Sequence, residues 1–457
     1  MILVTTTTPV LARPANINLG EEVDAYINET MKRLPIPGIA VGIVKDDKVL
    51  YLQGYGTANV DGDPVTPQTP FMLASVTKSF TALAVHQLAD AGRVDLDRPV
   101  QTYLPEFRLG NAQFAASITV RHLLDHTSGI STMAGTEPYL HSPATTFDEA
   151  LHKLARYNPK QKPGEQYEYS NWNYVLLGEI ISRASGMPFA EYMQTNILDP
   201  LEMTQASFAD YHTLPGVATS NLIVLGMPVP YDEKYIPVML SAGYLTASAE
   251  DMVHYLIPYF NQGQYHDHSL LPAQGRGWYN VTWNWQPGYP ANINYGFSGG
   301  NNSINTNIQL FPLHKLGVVV LMNTRLDGMF PAPSANEIAF NIGRIVNNLP
   351  CDLPSNRGFY GTYILLDGFL ALMVASIVWQ ASHLKNKPNS KPVNVRIGII
   401  FDLLLSIAIF ILPIVLKTRW HIILYHRPET TFPLLIIGVS LGVLGLIKLL
   451  RNKNETE

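Results

Sequence analysis

The chain has 457 residues, 31 of them Lys or Arg and 36 Asp or Glu, so that 15% are charged against about 25% in a typical soluble domain. The net charge of −5 provides no basic footprint for nucleic acid, and a single cysteine, Cys351, excludes an intramolecular disulfide framework and a Cys-rich metal site. At roughly 100–200 residues per domain the length allows two or three units, and so low a charge density suggests that part of the chain is not in water.

Taken in order, Met1–Ala12 is apolar to hydroxylated, and Val10-Leu11-Ala12 has the small-residue character of a signal cleavage site, without a basic start. Residues 1–19 are therefore read as a signal-peptide remnant. Glu21–Leu34 has the spacing of an amphipathic helix. Ile39–Val44 and Val49–Tyr55 read as strands joined at Asp46-Asp47, a hairpin signal. Phe71–Leu73 is a short extended run, and Val76–Ala91 a helix stopped by Gly92. Asn173–Ala184 is a second helix, closed by Gly186. Ile308–Phe311 and Gly317–Met322 read as strands around a turn at Pro312–Lys315. Strands near both ends with helices between predict an α+β domain over residues 20–350, its sheet uniting the two ends.

Beyond that the character changes. Within 351–457, the stretches 361–379, 397–416 and 432–450 are each long enough to cross a hydrocarbon core of about 30 Å as a helix. A three-span membrane region is expected, with the lipid bilayer as partner. Lys385, Lys387, Lys391 and Arg396 in the first linker outnumber Lys417, Arg419 and Arg427 in the second. That bias puts the first linker and the tail, with Lys448, Arg451 and Lys453, in the cytoplasm and the rest of the protein outside it. Asp367 and Asp402 sit near span ends, where an interfacial position suits a carboxylate.

The chemistry centres on Ala74-Ser75-Val76-Thr77-Lys78, where a strand gives way to a helix. Ser75 and Lys78 lie one turn apart on the same face. A serine is a weak nucleophile until a base takes its proton, and a lysine desolvated at a helix start can be that base. The helix N-terminus also offers N–H groups to an oxyanion. Glu168-Tyr169-Ser170-Asn171 precedes the second helix; Tyr169, as phenolate or phenol, can shuttle a proton, and Asn171 can face the site and hold a substrate amide. His266-x-His268 is a tight pair without a third ligand at a recognisable spacing, and no phosphate-binding Gly-rich loop occurs, so no metal and no cofactor are expected.

The order Ser75-x-x-Lys78, Leu123-Leu124-Asp125-His126-Thr127-Ser128-Gly129, Tyr169-x-Asn171 and Gly296-Phe297-Ser298-Gly299-Gly300 resembles the class C β-lactamase-related serine hydrolases, a family that includes penicillin-binding proteins, D-Ala-D-Ala carboxypeptidases, D-aminopeptidases and family VIII esterases. The stretch Phe71–Phe107 is similar to that family nearly residue for residue. The resemblance covers about Val23 to Asn323. It implies a two-lobed fold, an antiparallel sheet flanked by helices plus a helical lobe, with the site at their junction. It also implies Ser75 as the acylated nucleophile, Lys78 as its base, Tyr169 as proton shuttle, Asn171 as a substrate ligand, and the N–H groups of Ser75 and Gly300 as the oxyanion hole. His126 would be a packing and turn residue.

One departure stands out. The third family box normally carries Lys or His, and here the aligned triplet is Phe297-Ser298-Gly299; a shift of one residue would instead put Ser298 at the basic position, and in either register the cation is absent. Anchoring of a substrate carboxylate is therefore not expected. Ser298, Gly299 and Asn302, the last within the four-asparagine run Asn301–Asn307, are expected to line a site for a neutral small-molecule or peptide substrate. The reading that results is a membrane-anchored serine hydrolase acting on an ester, amide or D-amino-acid peptide. The alternatives are a D-aminopeptidase maturing a secreted peptide, whose relatives also resemble this chain in having three C-terminal membrane helices, and a non-catalytic penicillin-binding sensor.

Overall fold

The computed structural model of the chain describes residues 18–131, 144–224, 226–271, 295–326 and 333–357, with scattered positions between 359 and 447. These fall into two compact units: the chain up to Asn356, except for 223–227 and 328–331, and the remainder.

The first unit is built on a five-stranded antiparallel sheet. Helix α1 (Leu19–Arg33) starts at Asn18, whose side chain accepts a hydrogen bond from the Glu21 N–H; Glu21 and Glu22 in the first turn and Lys32 and Arg33 in the last complement its dipole. Strands β1 (Gly38–Lys45) and β2 (Lys48–Gly56) form the expected hairpin, with Asp46 at φ +58° in the turn. From the other end of the sequence come β3 (Tyr295–Gly300), β4 (Asn305–Phe311) and β5 (Leu316–Met322), in the spatial order β2-β1-β5-β4-β3. Val41 pairs with Val320, so the two ends of the domain are stitched at the centre of the sheet. Every residue of β5 and all but the last of β1 are buried, which is why both read as unbroken apolar runs. Each buried Val or Ile there contributes about 1.5–3 kcal/mol relative to exposure.

Helix α2 (Thr77–Asp90) follows a 3₁₀ turn, Ala74–Val76, and packs against α3 (Asn171–Ser185) in the helical lobe. Gly92, at φ +68°, and Gly186, at φ +74°, close these helices with the left-handed backbone the sequence anticipated. Helix α4 (Ala249–Leu256) packs on β1 and β5, while α5 (Ala335–Val346) packs on β4 and β5 and touches α1. The two-lobed α+β architecture therefore stands as expected. Strand β3 was not anticipated as a strand: three glycines in six residues suppress the β-propensity by which strands are recognised.

The segment 1–17 and most of the three apolar stretches lie outside the described residues. Among the described residues no helix is long and apolar enough to cross a membrane. Within the second unit, Ile364, Val378 and Ile436 are 69%, 61% and 65% exposed, whereas Ser406 is buried and its hydroxyl donates to Gly438 O at 2.8 Å.

Candidate active site

Ser75 sits in the 3₁₀ turn that launches α2, directly after Ala74, whose φ of +47° is a left-handed conformation that alanine rarely adopts. The turn is tied on one side by Leu73 N–H to Leu245 O (2.8 Å) and on the other by Thr306 Oγ1 to Leu73 O (2.8 Å). Gly299 explains how β3 comes so close. A Cβ there would collide with Leu73 O and lie 2.5 Å from Thr306 Oγ1 and 3.0 Å from Val76 N. The glycine is needed because the strand backbone is pressed against the turn that carries Ser75.

Ser75 is partly exposed, and its Oγ lies 2.7 Å from the Tyr169 hydroxyl and 3.2 Å from Lys78 Nζ. Lys78 is fully buried. Its Nζ donates to Asn171 Oδ1 at 2.7 Å and to the Ala242 carbonyl at 2.6 Å. Burial pushes its pKa well below the ordinary lysine value, with no carboxylate to oppose the shift. A neutral amine has two N–H donors and one lone pair. With Asn171 and Ala242 on two of its donors, Lys78 in its neutral form would have its lone pair left for the Ser75 hydroxyl. Burial likewise raises the Tyr169 pKa, which favours the phenol over the phenolate; its hydroxyl also lies 3.4 Å from Asn171 Oδ1.

The structure thus brings Ser75, Lys78, Tyr169 and Asn171 together. Asn171 spends its carbonyl oxygen on Lys78. Gly300 ends β3, and Asn302 is partly buried in the turn that follows. Ser298 alternates away from the Gly299 side of the strand, and its Oγ accepts a hydrogen bond from Asn307 Nδ2 at 2.9 Å. The asparagine run is largely committed to the fold. Asn301 Oδ1 accepts from Ser303 and Ile304 N–H, Asn305 binds Gly299 O and Ala335 N–H, and Asn307 also reaches Phe297 O. Asn301, Asn305 and Asn307 thus serve as struts that hold β3 and its turn.

Phe297 is 2% exposed and belongs to the core, on the same side of the strand as Gly299. Where the resemblance implies a cation, this chain carries a buried phenyl ring. Arg325 lies on the turn side of Gly300, its Nη1 donating to Asn301 O at 3.0 Å. His126 is buried in a turn at φ +55°. His266 and His268 lie exposed on a short hairpin, apart from this cluster. Sequence reasoning missed Ala242, a backbone acceptor with no side-chain signature, and Asn173, discussed below.

The sequence pattern of the beta-lactamase family matches residues 23–339. Protein flp of Staphylococcus aureus strain NCTC 8325 is 32% identical over 238 residues, 52% of this chain and 48% of that protein. Esterase EstB of Burkholderia gladioli is 31% identical over 204 residues, 42% of this chain and 52% of the esterase. The chain thus spans about half the length of the curated relatives it matches. Among solved structures, the octameric penicillin-binding protein homologue from Pyrococcus abyssi is similar at TM-score 0.60 and 28% identity, over 74% of this chain and 78% of that one. The D-alanine carboxypeptidase AmpC from Burkholderia cenocepacia shares the fold at TM-score 0.58 and 22% identity, over 72% of this chain and 99% of its own.

Proposed function

The chain belongs to the beta-lactamase family, and from that premise we propose that it is a serine hydrolase working through an acyl-enzyme on Ser75. The observation that carries this reading is the setting of Lys78: fully buried, its Nζ within hydrogen-bond distance of Asn171 Oδ1, the Ala242 carbonyl and Ser75 Oγ. In this reading Ser75 gives its proton to Lys78 Nζ as Oγ attacks the substrate carbonyl. The N–H groups of Ser75 and Gly300 receive the oxyanion. Tyr169 protonates the departing oxygen or nitrogen and recovers a proton from the Lys78 ammonium. Water then attacks the acyl group, with the same residues working in reverse.

The substrate class follows from Phe297. A buried phenyl ring attracts no carboxylate, so the reading favours a neutral ester or amide, or a D-amino-acid peptide bound away from a free C-terminus. Similarity to an esterase supports the ester case. The D-aminopeptidase reading is a narrower form of the same proposal. A non-catalytic penicillin-binding sensor is the competing one.

We further propose that residues 351–457 anchor the protein in the plasma membrane by three spans near 361–379, 397–416 and 432–450, with the hydrolase domain outside the cytoplasm. Support comes from the inside-out chemistry of the described residues there. Many large aliphatic side chains, such as Ile364, Val378 and Ile436, face outward, with Ile437 and Leu441 buried, and Ser406 is buried against the small-residue stripe Gly438-x-x-x-Gly442, a pattern suited to helices packing in lipid.

The test is intact-mass analysis of the full-length protein and Ser75→Ala after exposure to a fluorophosphonate and, separately, to a penicillin. A fluorophosphonate adduct that needs Ser75 is expected, with little or no penicillin adduct. A lasting penicillin adduct would favour the sensor, and a well-folded protein that neither reagent labels would defeat the hydrolase reading. A reporter fused after Glu457 should read cytoplasmic; an external signal would overturn the topology.

A further inference from the structure

The motif Leu123–Gly129 does more than turn the chain. The carbonyl oxygen of His126 accepts a hydrogen bond from Glu168 N–H at 2.7 Å, and its Nδ1 accepts one from Ser170 N–H at 3.1 Å. The residues on both sides of Tyr169 are thus tied to one histidine. Its ring also backs the Tyr169 ring, with centroids 4.6 Å apart and planes tilted by 34°, and lies 5.2 Å from the Tyr174 ring.

The proton on that ring can be placed. A backbone N–H only donates, so Nδ1 presents a lone pair to Ser170. Ser128 Oγ donates to Asn173 Oδ1 at 2.7 Å, which turns the Asn173 amide nitrogen toward His126 Nδ1, 3.1 Å away. Two donors converge on Nδ1, and the ring proton therefore belongs on Nε2, which is buried without a hydrogen-bond partner. The groups facing the ring are Lys78 from α2, Tyr167 and Tyr169 from the extended segment, and Tyr174 from α3. Burial pushes the His126 pKa down to about 3, so the imidazole is neutral throughout the working range.

We propose that His126 is a positioning residue for Tyr169: a neutral imidazole, protonated on Nε2, that grips the backbone on both sides of the tyrosine and supports its ring. The proposal rests on the hydrolase reading above. Losing the grip misplaces the phenol that protonates the leaving group, while Ser75 and Lys78 keep their separate supports on α2, β3 and Ala242. The damage should therefore depend on how badly the leaving group needs a proton.

The experiment compares His126→Asn with His126→Gln in the full-length protein, on p-nitrophenyl butyrate and ethyl butyrate. Asparagine tolerates the left-handed backbone and keeps an acceptor near the Nδ1 position, whereas glutamine carries its acceptor one bond further out. In His126→Gln, kcat/KM, which reports the acylation step in which the alcohol departs, should fall about 10²-fold on ethyl butyrate and only about threefold on p-nitrophenyl butyrate. His126→Asn should recover most of the loss. Equal losses on both esters, a fully active Gln variant, or an Asn variant no better than Gln would each overturn the proposal. Should the Gln variant fail to fold, ¹⁵N shifts of the wild-type histidines decide. His126 Nδ1, identified by its absence in His126→Asn, should remain an unprotonated acceptor between about pH 5 and 9, and a protonated Nδ1 would sink the idea. Absence of any Ser75-dependent turnover in the wild type would instead defeat the hydrolase reading and leave the ¹⁵N result to stand by itself.

Discussion

The helical wall of the site and its strand wall differ in what they do with polarity. On the helical side a lysine is sealed from water and each of its hydrogen-bonding capacities has an assigned partner in Ser75, Asn171 or Ala242. On the strand side the position where the resemblance implies a cation is a phenyl ring in the core, and the neighbouring asparagines brace the backbone. The difference teaches that the two tasks of the missing cation are separable. Lowering the Lys78 pKa needs only desolvation, which the helical wall supplies by itself. Attracting a substrate carboxylate needs a charge at the strand, and that charge is gone.

The largest effects should come from breaking the helical wall. Ser75→Ala should remove covalent labelling and turnover while leaving thermal unfolding unchanged. Lys78→Met should lower acylation by about 10³-fold, yet raise Tm by about 2–4 °C, because a costly buried amine is replaced by an apolar chain of similar length. Activity without stability change in Ser75→Ala, or a destabilised Lys78→Met, would contradict the assignment. Next comes the contact between the walls. Gly299→Ala should cost about 10²-fold in kcat/KM, read with p-nitrophenyl butyrate, and about 1–3 kcal/mol of stability by denaturant titration, since its Cβ must push β3 off the Leu73 carbonyl.

Converting the strand wall should sharpen the comparison. Phe297→Lys is expected to raise reactivity toward carboxylate-bearing penicillins by about tenfold, at a cost in stability. A folded variant with no gain would mean that position 297 does not govern carboxylate recognition. The pH dependence of stability offers a smaller test. Both Lys78 and His126 have folded-state values below their ordinary 10.5 and 6.5, so each binds its proton more tightly when unfolded. The His126 contribution is complete above pH 6.5 and is lost as pH falls toward 3; the Lys78 contribution is complete only above pH 10.5. Lys78→Met should flatten the alkaline part of the stability profile and His126→Asn the acidic part. Smallest of all, Arg183→Ala, which removes an exposed pairing with Glu106 and Glu179, should change stability by less than about 1 kcal/mol and leave activity untouched.

Much of the helical wall was legible because its information is local. Ser75 and Lys78 are one turn apart, Tyr169 and Asn171 two residues apart, and each spacing places its pair without knowledge of the rest. The sheet's central strands were legible for the same reason, as apolar runs ended by turn residues. What could not be read depends on encounters between distant segments. Ala242 contributes only a carbonyl, and its role exists because its helical turn lands on Lys78 from 164 residues away. Asn173 looked like an ordinary helical residue until the fold brought it between Ser128 and His126. The asparagine run was legible as amides but not as struts, since that depends on the β3–β4 register. Strand β3 hid behind its glycines, whose reason is a close approach no local pattern encodes.

That close approach has a mechanical consequence. Leu73 is held by Leu245 on one side and Thr306 on the other, and Gly299 leaves no gap between strand and turn. The joint between sheet and helical lobe is therefore welded at the nucleophile itself, so the two lobes cannot hinge there to admit or release a ligand. The amides around Ser75 should therefore exchange among the slowest of the domain, opening only with the whole unit, and fast exchange there would show that the joint yields.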